Sequence, residues 1–263
     1  MLGARSNFIE IRENDSISEG WDGIRIGSES CSQLLPSAEN VRRLSEKRDP
    51  ASLSLVTPVA GPEEVTDVLS AVKTAVSQGW GEVVVNDWGV LDEVGGTEGI
   101  VITAGRLLMR FRRGPGIFDP WDEMDLPTRR YFAWGPLYDS PFLAFLKGKG
   151  VTRIELDLPR HWLPLPDLDG FRFSLHQDTR LISVSAVCPW LYDEDKGAWK
   201  PLANCGRTCT AHKDIVMTSS ALKGPLLLRG RAILERVDVD IEELELPDGV
   251  DRLIHDRAVA SLP

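Results

Sequence analysis

Cys205 and Cys209 form a C-x₃-C pair inside a polar segment, Asn204-Cys-Gly-Arg-Thr-Cys209, that has no apolar periodicity. A cysteine kept for packing belongs on the core face of an element, where it acts as a small apolar side chain. In a loop of this kind it is better placed to present a thiolate. Gly206 lets the backbone fold tightly enough for two thiolates to face one metal centre. The other two cysteines, Cys31 and Cys188, are distant in sequence, and Cys188 is followed by Pro189, as cluster ligands sometimes are. Four thiolates suit either zinc or an iron–sulfur cluster, since both take soft ligands. Zinc sites usually show two close pairs, and only one pair is close here. Spacing leaves three readings open: a cluster, zinc, and metal-free core cysteines.

Other residues offer less. Neither G-x-S-x-G nor H-E-x-x-H occurs, and His161, His176, His212 and His255 show no H-x₃-H spacing. A hydrolytic role is not the leading idea. His176 precedes the segment that leads to Cys188 and is the best proton-transfer candidate, although a hydrogen-bonded structural histidine is the commoner case. His212, three residues past Cys209, could tune a metal centre through a second layer of hydrogen bonds. Arg106 follows a strand candidate and could grip an anionic substrate with both arms of its guanidinium, or be a plain exposed arginine. Asn86 and Asp87 also follow a strand, where they line the same cavity or simply make a turn. The catalytic candidates are therefore Arg106, Asp87 and His176. Arg110, Arg112, Arg113, Arg129 and Arg130 bracket a Gly/Pro-rich excursion. They read as a solvated surface or as a docking surface for an acidic partner or substrate.

The elements that must position these residues alternate. Strand candidates fall at 23–27, 52–57, 82–86, 99–104, 152–157, 171–175, 181–187 and 226–228. Helical patterns run over 36–48, 61–79 and 140–149, with a last helix expected over 247–260. Residues 82–86 are a continuous β-branched run of the kind buried on both faces of a parallel sheet. Eight strand candidates with fewer than eight good helices predict an α/β fold, a TIM-like barrel with mainly parallel strands, distorted or incomplete. A Rossmann fold is the weaker reading, because no G-x-G-x-x-G follows the first strand. The domain expectation is a weakly structured segment over 1–22 and a single barrel-like domain over 23–263. In such a barrel Cys31, after the first expected strand, and Cys188, ending another, both lie on the C-terminal face.

Composition bounds the partners. The 263 residues carry a formal net charge of −10, which argues against broad, sequence-blind nucleic-acid binding. No run approaches the length of a transmembrane helix, and the mixed charges at the start lack the apolar stretch of a signal peptide. The expected location is the cytoplasm, where four cysteines do not favour two structural disulfides.

Three blocks carry a resemblance. Ile26-Gly-Ser-Glu-Ser-Cys-Ser32 followed by a helix is the first. Val85-Asn-Asp-Trp-Gly-Val-Leu91 with Ile102-Thr-Ala-Gly-Arg106 is the second. Arg180-Leu-Ile-Ser-Val-Ser-Ala-Val-Cys-Pro189 followed by Cys-x₃-Cys is the third. Together they resemble the collagenase-like peptidase family U32 over about residues 23 to 230. The order of the four cysteines is that of its iron–sulfur members. The resemblance implies a 4Fe–4S cluster on Cys31, Cys188, Cys205 and Cys209. It further implies a heterodimer with a second family member and oxygen-independent hydroxylation of an aromatic ring, as in ubiquinone synthesis. Other relatives hydroxylate RNA bases, and a few degrade collagen. The chain departs from the pattern in the long gap between Cys188 and Cys205, where an inserted turn is expected over 192–197.

Overall fold

The computed structural model describes residues 5–11, 20–109, 120–166, 168–212, 214–220, 222, 224–239, 241–247 and 249–256. The chain opens with strand β1 (Ser6–Ile11) and β2 (Gly23–Gly27), then helix α1 (Ala38–Lys47). Next come β3 (Leu53–Val56), α2 (Val65–Ser77), β4 (Glu82–Val85), α3 (Trp88–Val94) and β5 (Val101–Ala104). Helices α4 (Leu126–Trp134) and α5 (Ser140–Gly148) lead to β6 (Val151–Asp157) and β7 (Arg172–His176). The chain then leaves the barrel as β8 (Thr179–Val184), a short hairpin of β9 (Tyr192–Asp193) and β10 (Ala198–Trp199), and strands β11 (Ile215–Met217), β12 (Leu226–Arg229) and β13 (Ala232–Arg236). It returns as β14 (Val250–Asp256).

Strands β1 to β7 and β14 close into an eight-stranded barrel, every pairing parallel, with β14 seated between β7 and β1. The strands Leu-Ser-Leu-Val and Glu-Val-Val-Val are buried at every position, because lumen and helix layer cover both faces. Register fixes which residues share a layer: Ile26 lies beside Leu55, and Leu55 beside Val83. The helix layer is partial, since the β6–β7 and β7–β14 connections carry no α-helix among the described residues. No described helix is long and apolar enough to cross a membrane.

Three expectations need correction. Residues 1–22 are not simply a weakly structured leader, because β1 pairs with both β2 and β14 inside the barrel. The segments expected as barrel strands at 181–187 and 226–228 instead belong to an antiparallel sheet, ordered β11-β12-β13-β8, that is inserted after β7. The helix expected at 247–260 is strand β14 over its described part. Val250, Leu253 and Ile254 have the i, i+3, i+4 spacing of a helix face, and pairing with two neighbouring strands overrides that local pattern. The arginine-rich excursion is described only from residue 120 on, where α4 forms.

Gly27 ends β2 at a φ of 126°, and a Cβ there would sit 2.1 Å from the Val56 carbonyl oxygen. Only glycine allows β2 to hold its register against β3 and still turn into the loop that carries Cys31. Gly27→Ala is expected to cost on the order of 3 kcal/mol, read as a lower urea midpoint at unchanged m. An unchanged midpoint would mean that the turn relaxes freely.

Candidate functional site

Two sets of side chains are candidates, one inside the barrel and one on the segments that follow β2 and β8. The first fills the lumen. Arg25 on β2 clasps Glu155 on β6 with both ends of its guanidinium and reaches Glu10 at 3.5 Å. Arg106, after β5, donates from Nε to both Glu29 oxygens at 2.9 Å, and from Nη1 to Asp157 at 2.7 Å and the Thr179 carbonyl at 3.1 Å. His176 Nε2 lies 3.3 Å from Glu155 and 3.8 Å from Glu29.

These groups are buried, and burial acts on each according to its partners. It lowers the Arg25 guanidinium below its ordinary value despite the pull of Glu10 and Glu29. It also works against Arg106, but Glu29 and Asp157 outweigh it and hold that guanidinium above its ordinary value. The carboxylates of Glu29 and Glu155 and the His176 ring place ligand atoms within 4.8 Å of one another. Both carboxylates are already matched by guanidinium groups, so this trio reads as part of a charge-compensated network.

The second group is the cysteines, all four of them free thiols. Cys31 and Cys188 are buried, and each precedes a single 3-10 turn, Ser32–Leu34 and Pro189–Leu191. Cys205 and Cys209 are half-buried and flank Arg207, which adopts a φ of 54°. Burial pushes the Cys31 thiol up, the Gln33 amide and Arg231 pull it down, and Cys205 and Cys188 raise it again. Cys188 is raised by burial first, then opposed by the Trp190 amide, with Cys205 raising and Arg231 lowering it. Neither thiol makes a hydrogen bond of full capping geometry, yet an amide two residues on faces each of them. Cys205 repeats the arrangement, its Sγ accepting from the Arg207 N–H at 3.4 Å. The sulfur of Cys209 lies against Gly230, where an added Cβ would meet it at 3.9 Å.

Arg231 lies within electrostatic reach of Cys31 and Cys188 and is itself buried. It donates to the carbonyls of Ser185 and Ala186 at 2.9 and 3.1 Å and lies 3.6 Å from Glu64. Glu64 in turn accepts from the Ser32 hydroxyl at 2.5 Å, which ties the inserted sheet to the Cys31 loop. Trp190 stacks on His212 at 4.7 Å and so links the Cys188 turn to the segment after Cys209. The Trp190 Nε1 is buried and has no hydrogen-bond partner among the described residues.

Of the catalytic candidates, Arg106 and His176 come together in the lumen and Asp87 does not. Asp87 caps α3, accepting from the Gly89 and Val90 amides at 2.8 and 3.1 Å and from the Ala60 amide at 3.4 Å. Asn86 bonds the Thr57 carbonyl and the Leu107 amide. The Arg106 guanidinium is engaged by protein groups, contrary to its expected role as a free anion clamp. Arg129 binds the Trp121 and Asp122 carbonyls, and Arg130 lies over the Tyr138 ring; Arg110, Arg112 and Arg113 fall outside the described residues. Sequence reasoning passed over Arg25, Glu29, Glu155, Asp157 and Arg231. The available signal was Glu155 and Asp157 two apart, alternating with Ile154 and Leu156, which puts both carboxylates on one face.

No family model matches the chain, and no curated protein matches it. Among solved structures the chain is similar to the U32 peptidase Mk0906, at 12% identity and a TM-score of 0.40, across 96% of this chain and 92% of that one. A likeness at that score carries no argument about activity.

Proposed function

We propose that this chain is an iron–sulfur subunit, similar to UbiV, of an oxygen-independent hydroxylase that acts on an aromatic substrate together with a UbiU-like partner. One 4Fe–4S cluster would be held by Cys31, Cys188, Cys205 and Cys209. The observation that carries the reading is the shared environment of three thiols from separate segments. Cys31, Cys188 and Cys205 lie within electrostatic reach of one another, each faces an amide two residues on, and a buried Arg231 favours the thiolate at Cys31 and Cys188. Burial raises both the Cys31 and the Cys188 thiol, and the backbone amides aimed at sulfur oppose it in favour of the charged form that a metal needs. The cysteine spacing in sequence departs from the two close pairs usual for zinc, since only Cys205 and Cys209 are close.

When bound, the cluster supplies one-electron transfer. This chain's own residues would do the rest. The four cysteines would hold the cluster, the Trp190–His212 stack would brace the segments that carry Cys188 and Cys209, and Arg231 would offset negative charge at Cys31 and Cys188. The lumen beneath is packed with paired charges, which leaves substrate chemistry to the rim or to the partner subunit.

The test is anaerobic purification, followed by the visible spectrum and by iron and acid-labile sulfide content. A brown protein with about four iron and four sulfide per chain supports the reading. A colourless protein with one zinc per chain would replace it with a metal-stabilised scaffold that binds a partner. Metal-free protein that cleaves denatured collagen would favour a U32-type peptidase instead.

A further inference from the structure

A cavity of about 870 Å³ opens at the same end of the barrel as the cysteines but outside the lumen, between the start of α3, the last turn of α4 and the first turn of α5. Helix α3 starts directly beyond β4, and Leu108, on the cavity wall, follows β5. Both connections belong to the C-terminal rim, where barrel proteins take their ligands.

The walls are aromatic: Trp88, Tyr131, Tyr138 and Phe142. Trp88 and Phe142 meet edge to face with centroids 6.0 Å apart, which braces one side. Tyr131 and Tyr138 remain 52% and 43% exposed, so their rings form an open wall and are not part of the core. Among the described lining residues the only charged side chain is Asp139, whose Oδ1 accepts the Phe142 amide at 3.1 Å. The Ser140 hydroxyl and the two phenols are the neutral side-chain groups there that can both donate and accept.

We propose that this cavity is a binding site for a neutral aromatic compound, a phenol-type ring held among Trp88, Tyr131, Tyr138 and Phe142. Ring faces and edges at these separations favour another π-system over an aliphatic of the same size. The volume falls in the range of small-molecule sites, which pair apolar walls with a few polar groups. Asp139 is the charged group on the described lining and repels an anion, Arg130 lies over the Tyr138 ring without lining the cavity, and the hydroxyls suit a ligand O–H. The site goes beyond the cysteine reading and needs no cluster, so either can fail without the other.

The test titrates the full chain, as purified, with 1-naphthol, 1-naphthoate and decahydro-1-naphthol, followed by ligand-observed NMR. Saturable binding of 1-naphthol is expected, with the saturated alcohol roughly tenfold weaker and the carboxylate weaker still. The double variant Tyr131→Ala/Tyr138→Ala, at two exposed positions, should weaken 1-naphthol at least about tenfold while its circular dichroism stays that of the parent. No saturable binding of 1-naphthol, or naphthoate binding as tightly as naphthol, would overturn the proposal. These arms use the unaltered protein, so they decide the matter even if the double variant unfolds. Unchanged affinity in a folded double variant would overturn it too, because the ligand would then lie elsewhere.

Discussion

Arg25→Met is expected to lower the unfolding free energy by about 3–5 kcal/mol, the range for removing one partner of a buried ion pair. Arg25 and Glu155 are both 0% exposed. Deleting the guanidinium strands the Glu155 carboxylate in the lumen, where among the described residues His176, at 3.3 Å, remains on its second oxygen. The cost is chiefly that of the abandoned charge, because a buried pair and a well-packed apolar pair of like volume are often nearly equal in stability. The double variant Arg25→Met/Glu155→Leu should therefore recover much of the loss, giving a coupling of at least about 1 kcal/mol in a double-mutant cycle by urea unfolding. Lys149 and Asp92, an ion pair with Asp92 68% exposed, make the contrast. Removing either is expected to change stability by no more than about 0.5 kcal/mol. A loss near that value for Arg25→Met would mean that water reaches the lumen and solvates Glu155.

The barrel was legible where its strands are plainly apolar. Glu82–Val85 and Leu53–Val56 are runs that only a doubly covered sheet can bury, and they lie where the pattern put them. The two strands that complete the circle were not legible. Phe8, Ile9 and Ile11 make a short apolar patch flanked by Arg5, Glu10 and Arg12. The apolar positions of β14 imitate a helix face, and only their partners, β1 and β7, decide otherwise. The candidate site divides in the same way. Cysteine type and spacing raised the expectation of a thiolate centre, whereas Arg25 stands between Ile24 and Ile26 with nothing local to say that its side faces the lumen. Glu155 explains it, and Glu155 is 130 residues away. Asp87 shows the reverse error. An aspartate just before Trp88-Gly-Val is a helix cap by local rules, and its position after a strand drew attention from that plainer role.

Under the proposed function, Cys31→Ala and Cys188→Ala are expected to lose nearly all iron and sulfide, against about four of each in the parent. Both sulfurs are buried, so solvent has poor access to replace the missing ligand. Cys205→Ala and Cys209→Ala, at half-buried positions open to water, should retain more. The loss should also be felt in the inserted sheet. Among the described residues its own buried apolar cluster is small, limited to Leu181, Leu227, Ala232 and Leu234. A unit with so little core relies on its ties to the barrel, which include Arg231–Glu64 and whatever the thiolates hold in common. Metal binding that couples segments in this way contributes directly to folding stability. Chelation, or either buried-cysteine variant, should therefore open the region over residues 185–230 to limited proteolysis before the barrel strands are cut. Full iron in all four variants would remove the cysteines as ligands. Uniform protection of the insert in chelated protein would show that the sheet stands on its packing alone, with Arg231 and Glu64 sufficient to hold it to the Cys31 loop.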